Sequence, residues 1–193
     1  AAQRIFGDAE YTVSRSPDGD AELVLDTHSL EVKSVALDGR LAEWSLDAPH
    51  AALGTALRVK LSGPAADGGA PHKVTIRYST TAGAGAIQWL PPAQTSGKQH
   101  PFMFTQCQAI HARSLLPCQD TPRVKVPYTA TIRVAEPFTA LMSAAKGNAD
   151  QVATPQPALQ CQVDGMFTGF DIAEGERGFT FDQPQPIPSY LLA

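Results

Sequence analysis

The sequence predicts an all-β fold, an antiparallel sandwich or saddle, and three observations carry that expectation. Apolar and polar residues alternate with a period of two in several separate runs, as strands with one buried face require. Turn signals built on Gly, Pro and Asp separate those runs at short spacing. The chain carries 15 glycines and 16 prolines, which long helices do not accommodate, and no window sustains a 3.6-residue period.

Taken in order, residues 4–13 read as a first strand. Leu23 and Leu25 alternate with Glu22 and Asp26, and Leu57, Val59 and Leu61 alternate with Arg58 and Lys60. Val74, Ile76 and Tyr78 share a face opposite Lys73, Thr75 and Arg77. The clearest alternation sets Val126, Tyr128, Ala130, Ile132 and Val134 against Pro127, Thr129, Thr131 and Arg133. Pro127 has no N–H to give to a ladder, so this strand begins at an edge or a bulge. Later, Leu159, Cys161 and Val163 share one face, as do Phe179 and Phe181. Turns are expected at Ser16-Pro17-Asp18-Gly19, Asp38-Gly39, Ser62-Gly63-Pro64, Asp67-Gly68-Gly69, Glu174-Gly175 and Arg177-Gly178. Asp18-Gly19 and Asp38-Gly39 suit hairpins. Residues 140–145 allow one helical turn at most. Trp44 and Trp89 are expected in the core or at its rim, and His28, His50 and His72, near turns and strand ends, as solvated groups.

At 193 residues and 20.5 kDa the chain fits a single domain over residues 1–193. A net charge of −4 without a basic stripe makes it a poor nucleic-acid binder, so no nucleic-acid partner is expected. No apolar run reaches the roughly 18 residues of a membrane span, so no membrane partner is expected either. Arg4, Asp8, Glu10, Arg15 and Asp18 exclude a signal peptide from the first residues. Cys107, Cys118 and Cys161 do not make a disulfide framework. Three packed thiols are the preferred reading, and one disulfide with one free thiol is the alternative. A cytoplasmic location is favoured, with a periplasmic or secreted one open if a signal peptide was removed. The chain opens on Ala1-Ala2-Gln3 and closes on the apolar Ile187-Pro188-Ser189-Tyr190-Leu191-Leu192-Ala193, which suggests a piece of something longer.

One stretch departs from the pattern. Across residues 86–126 the alternation fades and Pro91, Pro92, Pro117 and Pro122 punctuate a run rich in Gln, His and Cys. Trp89, Phe102 and Phe104 argue against disorder there. A long irregular segment in a β domain is commonly the functional one. Its chemistry is limited. His100, Cys107, His111 and Cys118 lack the close ligand pairs of zinc sites. Cys107 with His111 or His100 would form a nucleophile pair, but no cysteine-peptidase signature surrounds them. Asp120-Thr121-Pro122 reads as a structural turn in which Asp120 pairs with Arg113 or Lys125. Gly83 and Gly85 lack the setting of a phosphate loop. The side-chain amides of Gln106 and Gln108 donate and accept without titrating, which suits orienting a polar ligand. The residues by themselves support a binding module.

The run from Gln94 to Thr131 carries a closer likeness, and three parts stand out in and after it. They are Gln106-Cys107-Gln108-Ala109-Ile110-His111, Leu116-Pro117-Cys118-Gln119-Asp120-Thr121-Pro122, and the later Ala140-Leu141-Met142-Ser143-Ala144. With them the chain resembles the amino-terminal domain of the M1 zinc metallopeptidases of the leukotriene A4 hydrolase and aminopeptidase B type. The resemblance implies a saddle-shaped β-sandwich packed against a zinc-bearing catalytic domain as its intramolecular partner. It implies that Gln106, Cys107, Gln108 and Ala109 line the substrate cleft. Gln108 would help to hold the free amino group of a peptide substrate, with Gln106 deeper along the wall.

The chain lacks the family's H-E-x-x-H, its distal Glu ligand and its Gly-x-Met-Glu-Asn loop. No catalytic residue, metal ligand or cofactor is therefore expected within it, and zinc is expected in the intact enzyme. The leading expectation is a non-catalytic amino-terminal domain of a zinc aminopeptidase, inactive alone, that shapes the cleft and binds the substrate amino terminus. The alternative is a stand-alone β-sandwich module that binds peptides or proteins. An independent hydrolase acting through Cys107 is a third.

Overall fold

The computed structural model describes residues 3–14, 21–61, 71–147 and 175–193, and among them the chain is built of strands, connecting turns and short 3₁₀ turns. Strands β1 (Phe6–Val13), β3 (Leu30–Leu37), β4 (Arg40–Leu41) and β7 (His72–Thr80) form one antiparallel sheet in the order β1-β7-β3-β4. Strands β2 (Glu22–Thr27), β5 (Trp44–Leu46) and β6 (Thr55–Lys60) form a second, ordered β2-β6-β5. The period-two apolar faces of the two sheets meet. Leu25, Leu57, Val59 and Leu61 pack with Val35, Leu37, Val74 and Ile76, and Trp44 closes the rim. This is the sandwich core.

The polar faces carry charge pairs that reinforce the register. Asp8 lies opposite Arg77 and accepts from its Nε at 2.9 Å, and Lys73 reaches Glu10 at 2.8 Å. The Asp38-Gly39 hairpin forms as expected, with φ of 49° and 79°. Both values lie in the left-handed region that a two-residue type I′ turn requires.

A third sheet runs β10-β12-β11, from β10 (Lys125–Ala135), β11 (Ala145–Lys146) and β12 (Glu176–Pro188). The strand expected from the clearest alternation is β10. It is an edge strand, and its register shifts between Val126 and Tyr128, at Pro127. Phe179 and Phe181 of β12 bury against Ala140, with Ala130, Ile132, Val134, Met142 and Ala144 around them. A two-stranded hairpin completes the described fold, β8 (Ile87–Leu90) with β9 (Phe102–Thr105).

Four expectations need correction. Residues 86–126 are not irregular throughout, because the β8–β9 hairpin lies within them; each of its strands spans four residues, too short for alternation to stand out. Arg177 and Gly178 are not a turn but ladder positions opposite Val134 and Arg133, since backbone pairing needs no side chain. The turn falls at Gly175, with φ 83°. Residues 140–145 form no helical turn; Ala140, Met142 and Ala144 lie on the third core with the period of an extended chain. His72 is buried, at 4% exposure, and its Nδ1 donates to Asp38 at 2.8 Å. Strands β3, β4 and β5 carry no alternating run that the sequence alone marks as a strand. The expected turns at 16–19, 62–64 and 67–69, and the Leu159, Cys161 and Val163 face, lie outside the described residues, as does Glu174.

Candidate functional site

The segment after β9 alternates sharply between outside and inside. Gln106 is exposed, Cys107 is buried at 1% exposure, and Gln108 and Ala109 are exposed. Cys107 acts as the peg. It packs with Ala86 and Ala112, and Ile87, Leu115 and Cys118 surround this small cluster. Gln106 N donates to Ala86 O at 2.8 Å, which fixes the segment to the start of the hairpin. Gln106 Oε1 accepts from Gln108 N at 3.0 Å. That contact ties the Gln106 side chain to the Gln108 backbone, and the Gln108 side chain is exposed. The peptide bond between Gln108 and Ala109 is cis.

Beneath this surface lies a buried polar brace. Arg113 Nε donates to Asp120 Oδ2 at 3.0 Å, Arg113 N to the same oxygen at 3.1 Å, and Arg113 Nη2 to Asp120 O at 3.1 Å. Arg113 Nη1 donates to Leu53 O at 2.6 Å and lies 3.5 Å from Asp26 Oδ1. Ser189 Oγ donates to Asp120 Oδ1 at 2.6 Å, and Asp120 N donates to Asp26 Oδ2 at 3.0 Å. Side chains of Arg113 and Asp120 are 7% and 0% exposed, so the pair is desolvated but fully hydrogen-bonded. Three further bonds strap the segment to the sandwich. They are Asp26 N to Cys118 O, His28 N to Arg113 O, and the Tyr11 hydroxyl to Pro117 O. The structural reading of Asp120 therefore holds, and Arg113 rather than Lys125 is its partner.

The Cys107 thiol is not an activated nucleophile. Burial, with a smaller contribution from the Asp120 charge, pushes its pKa up to about 11. Burial pushes Cys118 up as well, aided by Asp120 and Asp26. Among the candidates for ligand contact, Cys107 thus offers only its backbone, while Gln106, Gln108 and Ala109 present themselves outward. The four weighed metal ligands do not converge. Cys107 and Cys118 lie in the apolar cluster, His111 is exposed, and His100 meets Phe138 edge-on at 5.6 Å. Among the described residues no three His, Cys, Asp or Glu side chains gather as a metal site. The described residues do not fit a zinc ion of their own.

The family model of the peptidase M1 N-terminal domain matches residues 2–156. A leukotriene A-4 hydrolase homolog from Botryotinia fuckeliana is 40% identical over 197 residues, covering 99% of this chain and 27% of that protein. Leucine aminopeptidase 2 of Aspergillus niger is 36% identical, covering 99% of this chain and 28% of its own length. The chain thus spans about a quarter of the length of these relatives. Native leukotriene A4 hydrolase from Saccharomyces cerevisiae superposes with a TM-score of 0.75 at 29% identity, over 98% of this chain and 25% of that one. An M1 zinc metallopeptidase from Deinococcus radiodurans shares the fold, with a TM-score of 0.67 at 18% identity over 99% of this chain and 37% of that one. The family model, which matches most of the chain, and relatives of 36–40% identity show that this chain belongs to the peptidase M1 N-terminal domain family.

Proposed function

We propose that this chain is the non-catalytic amino-terminal domain of a zinc aminopeptidase of the leukotriene A4 hydrolase type. In this reading it shapes the cleft and helps to bind the amino terminus of a peptide substrate. The observation that carries it is the exposure of Gln106 and Gln108, linked through Gln106 Oε1 and Gln108 N, on a segment braced by buried polar contacts. An amide oxygen accepts from a substrate ammonium and keeps its character at every working pH. With one Gln106 lone pair engaged by Gln108 N, the Gln108 oxygen is the freer acceptor, so Gln108 takes the ammonium and Gln106 orients it. The zinc belongs to a catalytic domain packed against this one within the same cytoplasmic protein. The family membership and the relatives' aminopeptidase names support that partnership. Exposed apolar side chains support it too. Phe102 (55% exposed) and Met103 (37%) stand on β9, and Leu141 (78%) and Leu191 (47%) near the chain end.

The test is Gln108→Ala in the full-length protein, assayed by release of an amino-terminal residue from a peptide. A hydrogen bond to a charged group is worth about 1.5–3 kcal/mol, so kcat/KM falls by about tenfold or more. Unchanged kinetics remove the assignment. These exposed apolar side chains equally favour a second reading, a stand-alone binding module. The native size in the source, read by immunoblot, separates the two, because only a band far above 20.5 kDa is compatible with the aminopeptidase.

A further inference from the structure

His111 takes no part in the pair of amides, yet the structure fixes it beside them. Its N donates to Cys107 O at 2.9 Å. Its carbonyl accepts from Ser114 N at 2.9 Å and from Ser114 Oγ at 2.8 Å. The same Ser114 hydroxyl accepts from Ala86 N at 2.8 Å, and Ala86 O accepts from Gln106 N at 2.8 Å. These bonds close a ring through Ala86, Gln106, Cys107, His111 and Ser114, with Ser114 1% exposed at its centre. A ring of backbone contacts around one buried hydroxyl holds the His111 backbone at a set offset from Gln106.

The imidazole lies beside Gly85. A Cβ built on Gly85 would stand 3.4 Å from His111 Nδ1 and 3.8 Å from its Cε1. One part of the imidazole therefore lies against bare backbone next to Ala86, the residue that anchors Gln106. His111 is otherwise exposed. A neutral imidazole both donates and accepts, so it can meet a peptide N–H or C=O. Neither zinc ligation nor pairing with Cys107, the roles its spacing raised, is served by this position.

We infer that His111 is a third substrate-contacting side chain, which hydrogen-bonds a peptide group of a substrate whose amino terminus lies on Gln108. The inference rests on the proposed aminopeptidase reading. His111 acts in ground-state binding, with its imidazole beside Gly85, where a Cβ would stand in ordinary van der Waals contact with the ring.

The experiment compares His111→Ala, His111→Gln, Gly85→Val and the double variant Gly85→Val/His111→Ala in the full-length protein, with Gln108→Ala as reference. Loss of one neutral hydrogen bond raises KM for a peptide substrate about two- to tenfold, with kcat unchanged. His111→Gln, which keeps donor and acceptor, restores most of it. Gly85→Val crowds the ring and raises KM alone, but adds nothing to His111→Ala. Unchanged KM in His111→Ala, or additive effects in the double variant, overturns the inference. If Gln108→Ala loses activity while His111→Ala does not, only the His111 role falls. If both leave kcat/KM intact, the reading of the whole segment falls with it.

Discussion

In the main sandwich the residues that meet between sheets are aliphatic, Leu57, Val59, Val74 and Ile76 among them, each 0% exposed. In the segment from 106 to 120 the buried positions include Arg113, Ser114 and Asp120. The first region is held by non-directional burial, which grades smoothly with the apolar area lost. The second is held by directional contacts, each needing its partner, so it specifies one conformation and fails abruptly when a partner goes. The presentation of Gln106 and Gln108 proposed above would gain from the second kind of support. The sandwich supplies stability and the brace supplies geometry.

The largest effect is expected where that directional support is cut. Asp120→Ala leaves the Arg113 guanidinium buried without its carboxylate, and loss of one partner of a buried pair costs about 3–5 kcal/mol. Denaturant unfolding measures it, and hydrogen exchange locates it. Amides of 106–120 lose protection first, while those of β7 keep theirs. Replacing both partners, Arg113→Met with Asp120→Leu, costs less than Asp120→Ala alone. A double variant as unstable as the single would show that the brace is not the pairwise device described.

Leu57→Ala attacks the other region. It removes a fully buried side chain from the sandwich, at about 3 kcal/mol. Here protection falls across β2, β3, β6 and β7 together, and the 106–120 amides follow only as global unfolding begins. Preferential loss of protection in 106–120 would erase the distinction between the regions.

The same contrast explains what was legible in the sequence. Strands β2, β6, β7 and β10 were readable because their burial repeats every two residues. The bulge at Pro127 was readable because a missing N–H has only a few places to go. Strand β3 was obscured by its register shift between Val32 and Ser34, which breaks the alternation. The β8–β9 hairpin was hidden by strand length and by the proline-rich connection between its strands. In the candidate site, residue type points to Gln106 and Gln108, and Asp120 reads as structural with Arg113 as one of two candidate partners. The inward turn of Cys107 and the ring through Ala86 and Ser114 were not legible. They depend on contacts between residues distant in sequence, which no local period encodes. Likewise His72 resembles a surface histidine until Asp38, brought alongside by a hairpin, supplies its partner.

A smaller effect probes the cysteine that pegs the brace. With its pKa pushed up to about 11, Cys107 is only about one part in a thousand thiolate at pH 8, and its sulfur is shielded. Native alkylation by iodoacetamide, followed by mass spectrometry, should be more than a hundredfold slower at Cys107 than in the denatured chain. Rapid native labelling would mean that the peg opens readily and that the brace does not hold it.

The smallest effect is expected on the exposed face of the sandwich, where charge pairs act without burial. Lys33 and Arg4 donate to Glu31 and hold its pKa down at about 2, below its ordinary value near 4.3. A carboxylate with a lowered folded pKa contributes stability that is fully present above the unfolded value. That contribution is lost as pH falls toward about 2. Glu31→Gln should therefore lower stability modestly across the neutral range, flatten the acid limb between those values, and converge with the wild type near pH 2. High salt should shrink the difference, because exposed pairs are screened. Asp120→Ala, whose pair is shut away from solvent, should keep its full cost in the same salt. A salt response of equal size at both positions would mean that water reaches the Arg113–Asp120 pair. The segment presenting Gln106 and Gln108 would then owe its geometry to something other than a desolvated brace.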